Sequence, residues 1–209
     1  MSVTIIDVGA GNLHSVRKAC AHVLGADAPI TISQNPDDLA NAERIILPGV
    51  GAFGDCMNGL AAIPGMHDAL EEAVLQRATP FLGICVGMQM LFASSSEHGT
   101  HEGLGWLDGH IIALERDTLP IPHMGWNPLL QSQATHPLLA DIDVGAHAYF
   151  VHSFHAAGVT EKDLLASVDY GGPVVAMVAR DNIAGTQFHP EKSQQVGLQC
   201  LRNFMGWKP

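Results

Sequence analysis

Basic residues are scarce in this chain. Ten lysines and arginines stand against 21 aspartates and glutamates, for a formal charge of -11. That balance excludes binding to nucleic acid or to an anionic membrane surface, both of which need basic patches. Long apolar runs are missing too, since none approaches the ~20 residues of a membrane-spanning helix. The first residues, Met1 to Asp7, carry neither the basic start nor the cleavage site of a signal peptide. A C-x-x-C pair is also absent. Cys20, Cys56, Cys85 and Cys200 are widely scattered, as expected for free thiols in a reducing cytoplasm. The twelve histidines mostly stand alone. The groupings His98/His101 and His147/His152/His155 lack a cysteine or carboxylate at ligand spacing, so neither a metal site nor a cofactor is expected.

With 47% hydrophobic and 15% charged residues, the chain is globular. Its 209 residues suffice for one well-buried domain spanning 1–209. The first half alternates strands and helices. Strands are expected at 3–8, 30–33, 44–47 and 81–84, and helices at 12–24, 66–76 and 86–93. The second half is richer in strands, at 110–114, 128–131, 149–152, 165–169, 174–179 and 183–188, with a closing helix over 196–205. Alternation implies a parallel sheet covered by helices on both faces, and consecutive strands imply antiparallel extensions. The expected fold is therefore a three-layer α/β sandwich with a mostly parallel central sheet and antiparallel additions. Ligands of such sheets gather at the carboxyl ends of the strands, where Gly49, Cys85 and His189 would lie.

The segment Pro80-Phe81-Leu82-Gly83-Ile84-Cys85-Val86-Gly87-Met88-Gln89 is a short apolar run ending in a cysteine flanked by glycines. It reads as a strand turning sharply into a helix, the G-x-S-x-G nucleophile elbow with a thiol in place of the hydroxyl. Glycines allow the tight turn and leave room for a substrate carbonyl. The helix N-terminus favours the thiolate. About a hundred residues on, Gln187-Phe188-His189-Pro190-Glu191 reads as a strand end stopped by Pro190. In an extended backbone residues two apart share a side, so Glu191 could orient the His189 ring. Nucleophile, base and orienter are thus all present.

Acyl transfer also needs donors for the developing oxyanion. The N–H of Val86 is one candidate, and the Gly49-Val50-Gly51 backbone offers another. The Gly9-Ala10-Gly11 segment lacks the third glycine of a dinucleotide fingerprint and is better read as a tight strand–helix turn. Gln89 lies one helical turn past Cys85, where it could bind substrate or simply face solvent. Alone, Glu97 is an ordinary loop acid.

Together these motifs resemble the class I (triad) glutamine amidotransferases, which cleave glutamine to glutamate and ammonia. Pro122-His123-Met124-Gly125-Trp126-Asn127 and Tyr149-Phe150-Val151-His152-Ser153-Phe154 narrow the resemblance to one branch of that family, the glutaminase subunits of imidazole glycerol phosphate synthase, from histidine biosynthesis. The resemblance covers essentially the whole chain. It implies that Cys85 attacks the carboxamide, His189 shuttles protons and Glu191 holds His189. It implies an oxyanion hole from Val50, Gly51 and Val86, and a glutamine site from Gly49, Gly51, Gln89, Glu97, His152 and Ser153. It further implies a heterodimer with a cyclase subunit, a (β/α)₈ barrel, faced by Asn12, Trp126, Tyr149 and Lys192. Phe154 departs from the usual tyrosine and Val86 from a common leucine. Other readings of the same motifs are a subunit of a different synthase, such as those for pyridoxal phosphate or anthranilate, and a non-catalytic binding subunit of this fold.

Overall fold

The computed structural model describes residues 1–133 and 135–209. In the first half, β1 (Val3–Ile6), α1 (Leu13–Leu24), β2 (Ile30–Ser33), β3 (Arg44–Gly49), α2 (Phe53–Ala61), α3 (Met66–Glu71) with a π-turn over Glu72–Gln76, β4 (Phe81–Cys85) and α4 (Val86–Gln89) follow one another. Ten strands come next: β5 (Phe92–Ser95), β6 (His101–Glu102), β7 (Leu107–Ala113), β8 (His123–Pro128), β9 (Leu130–Gln131), β10 (His147–His152), β11 (Phe154–Ala157), β12 (Leu164–Asp169), β13 (Pro173–Arg180) and β14 (Ile183–Thr186). Helix α5 (Gln194–Gly206) closes the chain.

The main sheet has the order β2-β1-β3-β4-β14-β13-β12-β9. Its first five strands are parallel, and β13, β12 and β9 are added antiparallel. The central strands are continuous apolar runs because both of their faces are covered. Ile45, Ile46 and Leu47 of β3 and Phe81, Leu82 and Ile84 of β4 are all buried. Helix α1 presents Val16, Ala19 and Cys20, spaced for one helical face, and packs against α5, while α2 packs against α3 and α4. The expected three-layer α/β sandwich is the fold found.

Several local expectations are corrected. The helix over 86–93 stops at Gln89, and Phe92–Ser95 is a strand of a second sheet ordered β11-β7-β5-β6. Met90, Leu91 and Phe92 are fully buried. An unbroken apolar run fits a buried strand as well as a helix. Helix α2 is not among the expected helices. A Cβ on Gly54 would lie 2.7 Å from the His101 ring, and one on Gly59 would lie 2.1 Å from the Val8 carbonyl. Those glycines permit close packing and do not break the helix. The strand expected over 128–131 divides at Leu129, with most of its pairing in β8, which runs antiparallel to β10.

Candidate active site

Gly49 at the end of β3 lies in register with Cys85 at the end of β4, and Thr186 of β14 pairs with Ile84. The carboxyl ends of three parallel strands therefore converge on the cysteine. Its backbone holds φ 55° and ψ -111°, a strained conformation for a non-glycine residue. The flanking glycines serve a different purpose from the one expected. Neither has a positive φ. A Cβ on Gly87 would sit 1.8 Å from the Leu47 carbonyl oxygen, and one on Gly83 would sit 2.4 Å from that of Gly87. They let α4 settle directly onto β3 and β4, and the turn's strain falls on Cys85 itself.

Beyond β14 the chain does not continue as a strand to Pro190. His189 remains extended, and Pro190–Lys192 forms a 3₁₀ turn that brings Glu191 back to the ring. His189 Nδ1 lies 2.9 Å from Glu191 Oε1. The other ring nitrogen is thereby left free of Glu191, and His189 and Cys85 line the same cavity. This segment is pinned from both sides. His189 N donates to the Tyr149 carbonyl at 3.0 Å, while Ser193 Oγ donates to the His189 carbonyl and accepts from Tyr149 N. Asn12 precedes α1 but does not cap it, because its Nδ2 donates to Glu191 Oε1 at 3.3 Å.

Burial alone would push the His189 imidazole down. The adjacent Cys85 sulfur and Glu191 carboxylate outweigh that and raise it to about 9. Burial likewise opposes charge on Glu191, but the bond and charge of His189 hold its carboxyl below the ordinary range. The pair therefore favours an imidazolium on His189 beside the Glu191 carboxylate. The other three thiols are ordinary buried groups. Burial pushes Cys20 and Cys200 up to about 12 and Cys56 up to about 11.

A cavity of about 440 Å³ opens on this group, lined by Gly11, Asn12, Val50, Gly51, Cys85, Val151, His189 and Lys192. Its volume suits a small-molecule substrate. A larger cavity, about 660 Å³, lies at the amino ends of the strands beside Arg44, Pro80, Asn182 and Trp207. There the Arg44 guanidinium is occupied with the carbonyls that end α5.

The expected site residues fall into two sets. Cys85, His189, Gly51 and Val50 meet at the cavity, and Gly49 and Val86 are backbone neighbours of that group. As the first residue of α4, Val86 has an N–H with no acceptor inside the helix. The Val50 carbonyl accepts from Cys56 Sγ at 3.5 Å, and Gly51 holds φ +90° with nothing within 4 Å of a Cβ. The second set lies back from the lining. Glu97 accepts from Phe53 N at 2.6 Å, at the start of the helix that follows the glycine loop. His152 turns into the core, with its ring nitrogens at 2.9 Å from His123 Nδ1 and from the Phe154 carbonyl. The alternation of β10 aims Tyr149 and Val151 at the other face. Ser153 offers its carbonyl to Leu114 N. Gln89 is buried, with Nε2 donating at 3.0 Å to both the Phe154 carbonyl and Gln187 Oε1. Gln187 escaped the sequence reading. Its only signal was a buried polar residue two positions before His189, and its Nε2 donates to Cys85 Sγ at 3.7 Å.

Trp126, Tyr149 and Lys192 form one group, of which Lys192 lines the cavity. The Trp126 and Tyr149 rings meet edge to face at 5.8 Å, and Lys192 Nζ stands 5.9 Å above the Tyr149 ring. Trp126 and Met124 remain exposed, at 46% and 61%.

The profile of the family described as "Glutamine amidotransferase class-I" matches residues 4–206. The chain belongs to the class-I glutamine amidotransferases. Within that family it is 51% identical, over the full length of both chains, to "Imidazole glycerol phosphate synthase subunit HisH" of Rhodopseudomonas palustris. It is equally 51% identical over both full lengths to the subunit of the same name from Agrobacterium fabrum. Among solved structures, a glutamine amidotransferase superposes with a TM-score of 0.74 at 16% identity, covering 99% of this chain and 98% of the other. PurLQS from Thermotoga maritima gives 0.73 at 17% identity, covering 98% and 97%. These two likenesses establish the amidotransferase fold. The elbow and the His-Pro-Glu turn described above are accordingly set in an amidotransferase.

Proposed function

We propose that this chain is the glutamine-hydrolysing subunit of an imidazole glycerol phosphate synthase, acting in histidine biosynthesis through a cysteine thioester. The observation that carries the mechanism is Cys85 and the hydrogen-bonded pair His189–Glu191 gathered on one cavity at the carboxyl ends of β4 and β14. Cys85 Sγ attacks the carboxamide carbon of L-glutamine, and the carbonyl electrons move onto oxygen. The Val86 N–H and the Gly49–Gly51 backbone face that oxygen. When the intermediate collapses, the C–N bond breaks and His189 protonates the leaving nitrogen, releasing ammonia. A water then gives His189 a proton as it attacks the thioester carbon. Glutamate leaves and the thiol is restored.

Glu191 keeps the ring in the tautomer this sequence needs. Both donors of Gln89 are already committed, so its carbonyl oxygen is the end available to a donor on the substrate. Glu97 offers a carboxylate suited to the substrate's α-ammonium, provided it gives up the Phe53 amide.

The partner is a cyclase subunit with a (β/α)₈ barrel, joined as a heterodimer over the Trp126, Tyr149 and Lys192 face, with Asn12 at its rim. Ammonia protonates in water and is then no nucleophile, which favours a consumer seated directly on the cavity mouth.

The deciding experiment measures glutamate release from glutamine by the chain alone, and then with the cyclase subunit and its nucleotide ligand, with Cys85→Ala as control. Strong stimulation lost in the variant is the expected result. Silence in every mixture would overturn the assignment.

A further inference from the structure

Gln187 and Gln89 are both buried, at 0% and 2% exposure. A buried primary amide is costly unless its donors and acceptor are used, and here they form a directed chain. Gln187 Nε2 donates to Cys85 Sγ at 3.7 Å, an ordinary length for a sulfur acceptor. Its Oε1 accepts from Gln89 Nε2 at 3.0 Å, and the second Gln89 hydrogen goes to the Phe154 carbonyl at 3.0 Å. An amide rotated by half a turn at either residue would oppose two donors or two acceptors, so both orientations are determined.

The same carbonyl of Phe154 faces His152 Nδ1 at 2.9 Å. A carbonyl only accepts, so that nitrogen carries the hydrogen and His152 Nε2 is an acceptor. His123 Nδ1, 2.9 Å away, must therefore be the donor. The remaining His123 nitrogen then accepts from Asn127 Nδ2 at 3.3 Å. His123 is held flat between the Phe150 ring at 4.9 Å and the Tyr170 ring at 4.0 Å. Two runs of donors thus meet at the Phe154 carbonyl, one from the rigidly packed His123 imidazole and one from Gln89, whose other hydrogen leads through Gln187 to the Cys85 sulfur. Burial pushes both imidazoles down, to about 4 for His123 and about 3 for His152, in keeping with the neutral tautomers.

We propose that Gln187 is a catalytic residue of this site, donating a hydrogen bond that aims the Cys85 sulfur and favours its thiolate, and that Gln89 is the positioning residue that orients it. The proposal rests on the glutaminase reading for its role in turnover. The hydrogen bond itself can be tested without glutamine or a partner. Hydrogen bonding to the charged form of an acid favours that form. Gln187→Met keeps the length and removes the donor, and Gln89→Met removes the group that orients Gln187. His189, Glu191, Lys192 and Cys56 are the titratable groups around the sulfur, and they are unchanged in both variants.

The measurement is the pH profile of Cys85 alkylation by iodoacetamide in the full chain, with Cys85→Ala to subtract the other thiols. The profile of each variant should move to higher pH by about half a unit or more, roughly a threefold change in thiolate fraction at a given pH. The double variant should move no further than Gln187→Met alone, because Gln89 acts through Gln187. In the partnered enzyme, Gln187→Met should lower kcat about tenfold and leave KM for glutamine within about twofold.

Superimposable profiles in variants whose circular dichroism matches the parent would overturn the proposal, as would additive shifts in the double variant. Should Gln187→Met not fold, the Gln89→Met profile decides in the same way. If the parent enzyme failed to release glutamate while the shifts appeared, the function would fall and the hydrogen-bond chain would stand.

Discussion

At the scale of single residues, His189 and Glu191 behave as one unit with opposite titrations, and the sign of each follows from its shift. The folded chain holds the His189 proton up to about 9, against 6.5 for a free imidazole. Its contribution to stability is therefore complete below about pH 6.5 and is lost as pH rises through about 9. Glu191 is displaced the other way, below 4.5, so its contribution is present above that value and is lost on acidification. Glu191→Gln removes the Glu191 contribution and the part of the His189 shift that Glu191 supplies, leaving the part from Cys85. The Tm deficit of this variant should be widest between about pH 5 and 6.5 and should shrink towards pH 10, as thermal melts across that range would record. A deficit constant with pH would mean that the pair contributes packing rather than charge. Turnover should fall roughly 10²–10⁴-fold, the scale seen when a triad's orienting carboxylate is neutralised. The other cysteines supply a second test at this scale. Near neutral pH one equivalent of iodoacetamide should label Cys85 first, mapped by peptide mass, since burial holds Cys20, Cys56 and Cys200 far above neutrality.

At the scale of elements, the glycines divide into those that fill no space and those that bend. Gly87 belongs to the first kind. Adding a methyl group would drive a carbon to 1.8 Å from the Leu47 carbonyl, and neither β3 nor α4 has a flexible side chain to yield there. Gly87→Ala should therefore cost more than about 4 kcal/mol, placing it among the exceptional single substitutions. Gly51 belongs to the second kind, with open space around a φ of +90°. Gly51→Ala should cost about 1–3 kcal/mol, the scale of a residue held in a sparsely populated conformation. Urea unfolding of the two variants separates them, and similar losses would contradict this division. The elbow's existence was legible in Gly83-Ile84-Cys85-Val86-Gly87, because few elements place glycines two residues either side of a thiol at a strand end. The reason for those glycines was not, since sequence cannot say which backbone lies opposite. The apolar run from Met90 to Ala93 hid the break between α4 and β5 for a related reason: such a run fits a buried helix or a buried strand until its neighbours are known. Gln187 and Gln89 became meaningful only as a pair, and residues 98 positions apart carry no sign of their contact.

At the scale of the whole molecule, the parallel half of the main sheet places Cys85, and the separate two-stranded ribbon of β8 and β10 carries Trp126 and Tyr149. The His189 turn is fastened to β10 through Tyr149 and Ser193. The face that carries Trp126 and Tyr149 is therefore hydrogen-bonded directly to the turn that holds His189. Most of that layout could be read from the order of strands and from the two motifs that carry Trp126 and Tyr149. The distances between the layers could not. That connection makes Trp126 the residue on which partner docking should depend most. It is a large aromatic side chain, 46% exposed, seated against Tyr149, whose ring lies under Lys192. Aromatic anchors at the centre of an interface typically cost 2 kcal/mol or more when truncated, roughly a thirtyfold loss of affinity. Trp126→Ala should weaken binding of the cyclase subunit by at least about that factor in calorimetric titration. Leu75 provides the comparison, since it is similarly exposed at 45% but lies on the turn after α3, outside the ribbon of β8 and β10. Leu75→Ala should leave the affinity within about twofold. Equal losses in the two variants would move the docking face away from β8 and β10. An unchanged affinity in Trp126→Ala would do the same, and would leave the exposed aromatic without a partner.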